Sequence, residues 1–355
     1  MKNSHHGSDT IQHHIGPFLT WVAERRSERL TLLHTSRRKR KGLAPLALTS
    51  EEIDPYAADR EIRRHWIRFW APWRIGWWVG VLFMFGSALF AIGGAMGTWP
   101  DMTLIRSIDQ SHIGWIFFVG SLFFTAAGYL QWLEVINGDL GATPSPGSAP
   151  HRWLFYGWRP RNLGYMAVGA QLIGTLLFNM NTADAMISGL DWMDQDMLVW
   201  APNMLGSVCF LVASHASIME VSHRYWTWQF YSLSWWITAV NMLGSIFFMV
   251  SAVCSFVEPG DTLAAPWLAN FGTFAGAVCF FVGGYLLIPE QFEKKLSPPN
   301  ARAETSQPGI RKFKPDFSHY RYVAFRQPGP RRRRNALSRA RLLGLKPFRL
   351  NPFPS

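Results

Sequence analysis

One five-letter pattern recurs six times in this chain: glycine, a small residue, two further residues, then phenylalanine. The copies open at Gly86, Gly120, Gly174, Gly206, Gly244 and Gly276 and close at Phe90, Phe124, Phe178, Phe210, Phe248 and Phe280. Their second letters are Ser87, Ser121, Thr175, Ser207, Ser245 and Ala277. Each copy lies in a different apolar run, and the runs fall near 75–96, 113–135, 163–181, 199–220, 233–257 and 267–288. A hydrocarbon core is crossed by roughly 20 apolar residues of helix. Strands with open edges would leave backbone groups unpaired in lipid, so the runs must be helical. The sequence predicts an all-α polytopic bundle of six transmembrane helices.

Lipid tails are as apolar as leucine, so membrane helices associate through close packing at small residues and through modest interhelical hydrogen bonds. The six motifs therefore read as packing seams, with the phenylalanine one turn later covering the adjoining surface. Gly76–Gly80 and Gly272–Gly276 add two further pairs of glycines four residues apart. The glycine spacings are 34, 54, 32, 38 and 32 residues. The near-equal first, third and fifth intervals predict three tandem helical hairpins, at 75–135, 136–220 and 221–290. Asn203–Ser207 recurs letter for letter as Asn241–Ser245, as internal duplication requires.

Fourteen residues beyond the motif glycine lies Glu134, Glu220, Glu258 or Glu290 in four of the six copies. That step turns a helix by about 1400°, about 40° short of four full turns, and advances it by about 21 Å. Each glutamate thus shares a face with its glycine and sits at the helix end. Glu134, Glu220 and Glu290 end even-numbered spans and belong at one membrane surface, as an acidic ring, a cation site or partners of nearby basic residues. The basic segment expected to meet them is an interfacial amphipathic helix at about 50–70, with Arg60, Arg63, Arg64 and Arg68. His215 is the outstanding ionisable group inside a span, and Gln171 and Asn179 are its polar companions. Such residues mark transport paths or interhelical hydrogen bonds, and the second reading is preferred here.

Of 35 Lys and Arg residues, 14 precede the first span, 16 follow the last and only five lie between. With the N-terminus inside, the two inner loops hold four of those five and the outer loops only Arg106, which places both tails in the cytoplasm. The tails, 1–74 and 291–355, are basic and rich in proline. Arg37, Arg38, Lys39, Arg40 and Lys41, with Arg331, Arg332, Arg333 and Arg334, read as disordered clusters that contact anionic lipid or a protein partner, since each charge near an anionic leaflet contributes about 1 kcal/mol. Nucleic acid is the weaker alternative, because the tails are tethered beside the bilayer. Cys209, Cys254 and Cys279 fall within spans and suit packing rather than disulfides. His5-His6 and His13-His14 lack cysteines or a helical register, so no metal is expected. No cofactor fingerprint or catalytic motif is visible.

The runs Leu82–Phe90 and Trp115–Phe124 resemble the two helices of the YrhK-like domain, a small bacterial two-helix membrane module, over about residues 79–135. The later hairpins look like diverged copies. The resemblance implies a bacterial inner-membrane protein and carries no catalytic residue. The combined expectation is a non-enzymatic scaffold or interaction protein with basic tails, and its alternative is a small transporter or channel at the hairpin interface.

Overall fold

The computed structural model describes residues 10–27, 30–43, 45–48, 69–101, 112–138, 153–259 and 262–292. The expected amphipathic helix (apart from its last two residues), His5-His6 and Arg331–Arg334 lie outside the described residues. An N-terminal antiparallel meander comes first: β1 (Thr10–Ile15), β2 (Phe18–Ser27), β3 (Leu30–Thr35) and β4 (Leu46–Leu48), in that spatial order. A single helical turn, α1 (Ser36–Arg40), separates β3 from β4. Six long helices follow: α2 (Ile75–Thr98), α3 (Ile113–Asn137), α4 (Leu163–Asp184), α5 (Trp192–Ser222), α6 (Leu233–Cys254) and α7 (Pro266–Glu290). All six are long and apolar enough to cross a membrane, and the protein is a multi-pass membrane protein. A two-stranded ribbon, β5 (Val257–Glu258) and β6 (Thr262–Leu263), joins α6 to α7.

The helices form a closed ring. Each packs on the next in chain order, and α7 packs on α2. The reason lies in the repeated motif. Gly86 faces Gly120, Gly174 faces Gly206 and Gly244 faces Gly276, so closely that a Cβ on the first of each pair would lie 2.9, 3.1 and 3.1 Å from the carbonyl oxygen of the second. The space left by the missing Cβ is filled by the partner's phenylalanine. A Cβ on Gly120 would meet the Phe90 ring at 2.8 Å, and one on Gly206 the Phe178 ring at 2.7 Å. The two rings of each pair stack edge to face or tilted: Phe90–Phe124 at 5.1 Å, Phe178–Phe210 at 5.0 Å and Phe248–Phe280 at 5.1 Å. All six motif phenylalanines are buried together in one cluster. Phe90, Phe178 and Phe248 lie within 5.6 to 6.2 Å of one another, which places them at the centre of the ring.

The second motif letter serves the contacts between hairpins. Ser121 shares a hydrogen bond with Thr182 of α4 (3.0 Å). Ser207 donates to the Phe248 carbonyl (3.4 Å), and Ser245 donates to the Phe210 carbonyl (3.2 Å) and pairs with Ser214 (2.8 Å). At the closing seam α7 has Ala277 in place of a hydroxyl residue, and bare backbone substitutes. A Cβ on Gly80 would lie 2.8 Å from the Gly284 carbonyl oxygen, and one on Gly284 3.1 Å from that of Gly80. The repeats also share their lead-ins. The Trp77 indole donates to the Phe69 carbonyl and Trp235 to that of Thr227 (2.6 and 2.8 Å), while Trp78 and Trp236 donate to Pro72 and Phe230 (both 3.0 Å).

Gly206→Ala forces the Phe178 ring to move in a packed centre, at a cost of about 1–3 kcal/mol. Gly128, where a Cβ would make an ordinary 3.4 Å contact with Leu172, tests the contrast. Gly128→Ala is expected to be neutral or to gain up to about 1 kcal/mol from helix propensity. Thermal unfolding of both variants in detergent, followed by tryptophan fluorescence, checks the difference in sign.

Candidate functional site

The carboxylates at the ends of α3, α5 and α7 do gather, but around a different basic segment from the one expected. Thr35 caps the turn that follows β3, its side chain accepting from the Arg38 amide (3.3 Å). Gly42, at φ +64°, ends it, with Gly42 N donating to the Lys39 carbonyl and Leu43 N to that of Arg38. A left-handed residue after a helical turn is the ordinary way to satisfy its last carbonyls. Between these two stops the sequence is Ser36-Arg37-Arg38-Lys39-Arg40-Lys41.

This turn is a plug in the end of the helix ring. Arg37 donates from Nε and Nη2 to Glu290 (2.6 and 3.1 Å). Arg40 donates from Nε and Nη2 to Glu220 (3.2 and 2.9 Å). The Lys41 ammonium lies 3.2 Å from the Glu134 carboxylate and 4.0 Å from that of Glu290. Each hairpin therefore contributes one carboxylate and receives one cation. The Ser36 hydroxyl donates to Glu220 (2.8 Å) and that of Ser234 to Glu290 (2.7 Å). Gly164 lies against Glu220, whose Oε1 would be 2.5 Å from a Cβ there. The three cations are 8, 4 and 0% exposed and the three carboxylates no more than 1%.

The reading of Arg37, Arg38, Arg40 and Lys41 as a solvated lipid-contact cluster is thus corrected, since all four are buried, and Lys39 is half-buried. Five adjacent charges would normally stay in water, because desolvation of each costs several kcal/mol. Three carboxylates already held at the helix ends remove that objection. The disordered N-terminal tail is corrected as well, because residues 10–48 include four paired strands. Its signal in the sequence is compositional: short runs rich in aromatic, aliphatic and Thr residues at 18–23 and 30–35, with Gly16-Pro17 at the first turn.

His215 faces outward and is exposed on the ring, and its side chain makes no interhelical hydrogen bond among the described residues. Asn179 donates to Thr125 across the α3–α4 seam (2.9 Å). Gln171 lines a small chamber between the phenylalanine cluster and the plug, about 30 Å³ in volume, together with Gln131, Ser217, Asn241, Arg37 and Arg40. At the opposite end of the ring is a cavity of about 320 Å³, floored by Phe90, Phe178 and Phe248 and walled by apolar residues with a few uncharged polar ones, among them Asn181, Asn203 and Asn270. Gln195 and Trp200, from a π-helical turn at the start of α5, line it too. Among the described residues no group of three or more His, Cys, Asp and Glu side chains has metal-site geometry.

Next to Glu220, His223 caps α5 at φ 52° and is buried. Burial, with a smaller contribution from His13, lowers its pKa to about 4 against the pull of Glu220. Burial also lowers that of His13, with His14 and Arg224 adding to the effect. His13 stacks on Trp21 at 5.2 Å and shares a hydrogen bond with Thr20 (2.8 Å). Comparisons with protein-family models, curated proteins and solved structures return no match.

Glu220→Gln leaves Arg40 buried without its counter-charge and is expected to cost about 3–5 kcal/mol, whereas Glu220→Gln with Arg40→Met recovers most of that loss. Unfolding midpoints of the two variants decide the point. His223 is neutral in the folded protein and takes a proton near pH 6.5 when unfolded. Its contribution is complete above pH 6.5 and falls away as the pH drops towards 4, because the unfolded state then binds more protons. His223→Asn, which tolerates the left-handed backbone, is expected to flatten the fall in unfolding midpoint across that window.

Proposed function

We propose that the protein is a non-enzymatic scaffold of the bacterial inner membrane, built from three YrhK-like two-helix modules, with both tails in the cytoplasm. The observation that carries this reading is the blocked axis. Six buried phenylalanines fill the middle of the ring, and the Arg37–Glu290, Arg40–Glu220 and Lys41–Glu134 pairs fill one end. A bundle so closed holds its N-terminal sheet in a fixed place at the membrane surface. The module assignment is supported by the same glycine–phenylalanine geometry in each hairpin, and the orientation by the excess of basic residues in the tails. Arg331–Arg334 remain the segment proposed to meet anionic lipid or a protein partner.

The 320 Å³ cavity above the phenylalanines favours one second reading, a channel or transporter whose constriction opens. A hydrophobic constriction of this kind gates by dewetting. Reconstitution separates the two. The scaffold reading expects potassium and chloride efflux from proteoliposomes at the protein-free rate. Saturable or selective efflux above that rate, in the native chain or on opening the constriction with Phe178→Ala and Phe248→Ala, supports the channel. Removal of residues 300–355 is expected to leave the unfolding midpoint unchanged and to weaken co-sedimentation of the nanodisc-held protein with phosphatidylglycerol vesicles. Unchanged co-sedimentation removes the lipid-contact role of that tail.

A further inference from the structure

The chamber between the phenylalanine cluster and the plug is more polar than its place in the fold requires. Equivalent positions of the three hairpins can be compared directly. Three residues before the motif glycine of α2, α4 and α6 stand Phe83, Gln171 and Asn241. Eleven residues after that of α3, α5 and α7 stand Gln131, Ser217 and Leu287. Phe83 and Leu287 show that packing alone accepts apolar side chains at this level. The other four positions, one on each of α3, α4, α5 and α6, carry amides or a hydroxyl, and all four line the chamber.

The charges around it are arranged with one sign inward. Arg37 and Arg40 both line the chamber, while no carboxylate does. Glu290 and Glu220 take the Nε–Nη2 edges of the two guanidinium groups. Arg40 Nη1, on the other edge, is buried and has no partner among the described residues. A buried donor on a charged group left unmatched forfeits its hydration without compensation, and native structures rarely keep one without a reason. Gln131 Oε1 is also buried without a partner. Exchange of its amide oxygen and nitrogen, which differ only by a flip, turns a second donor inward. A site needs roughly 10–15 Å³ of this volume to hold one water, so about 30 Å³ accommodates a monatomic ion and excludes a phosphate ester.

We propose that this chamber binds one monatomic anion, chloride being the representative halide, held by Arg40 Nη1 and by the amide and hydroxyl donors of Gln131, Gln171, Ser217 and Asn241. The anion matches the orphaned guanidinium edge in a chamber lined by two guanidinium groups and no carboxylate. The role goes beyond that of a scaffold and requires no passage through the ring.

Equilibrium dialysis of the full-length protein in nanodiscs against ³⁶Cl⁻, in a gluconate background, tests it. The expected result is saturable binding approaching one chloride per chain, displaced by bromide and not by gluconate. Gln171→Leu and Asn241→Leu spare the Arg–Glu pairs and are each expected to weaken it at least tenfold without lowering the unfolding midpoint in chloride-free gluconate. Should either fail to fold, Ser217→Ala takes its place, with a smaller loss of affinity expected. Chloride should also raise the unfolding midpoint of the native chain, as any ligand selective for the folded state does, and should raise it less in the variants. No saturable ³⁶Cl⁻ binding, which means a chamber filled by water alone, overturns the proposal, as does binding unaltered by every variant.

Discussion

The structure depends on the seating of each phenylalanine ring against the glycine of the facing helix. Apolar surface gives helices in lipid no preference for one another, so adhesion has to come from contact itself. A pair of glycines brings two backbones to about 3 Å of any added Cβ, and the aromatic ring four residues on closes the gap beside them. Because both helices of a hairpin carry the motif and run in opposite senses, the arrangement is reciprocal. Three such hairpins send six rings to one centre, where dispersion between close-packed atoms takes the place of the hydrophobic effect. The ring of helices, the blocked axis and the separation of the two cavities all follow from that contact.

The buried ion pairs contribute something different. Pairs taken out of water are poor evidence of stability, because desolvation offsets most of the attraction. Their value here is in register. Arg37, Arg40 and Lys41 each answer a carboxylate from a different hairpin, so the plug fits in one orientation, and a slip of one residue would strand a charge. The sheet strands on either side of the turn are thereby fixed to the bundle. Ile15 and Phe18 add an apolar contact with Leu163 and Met219 at the same end.

Much of this was legible in the sequence. The six spans, the glycine seams and the shared face of Gly120 with Glu134, Gly206 with Glu220 and Gly276 with Glu290 follow from helical geometry, which is the same in lipid as in water. What failed depended on long-range partners. The run at 37–41 reads as solvated because nothing local neutralises it; the neutralising carboxylates lie roughly 95 to 250 residues further along the chain. His215 stands out in the sequence by its depth in a span, but depth does not give direction, and its side faces out of the ring. The chamber was half legible. Gln171 stood out as a polar residue in an apolar run, while its association with Arg40 required the plug to be in place.

Three near-equivalent hairpins suit a symmetric pore, as three separate copies of a two-helix module would. Joining them in one chain removes that constraint. A symmetric trimer offers three identical carboxylates and three identical N-termini, which cannot all occupy the same axis. A single chain has one N-terminus, so a single asymmetric turn can meet all three carboxylates, with an arginine for Glu290, another for Glu220 and a lysine for Glu134. Once the plug is asymmetric, the chamber beneath it is free to become so. Gln131, Gln171, Ser217 and Asn241 line it from four helices, while the corresponding positions on α2 and α7 keep Phe83 and Leu287. The repeated motif holds the cage together, and the departures from repetition give it a polar interior.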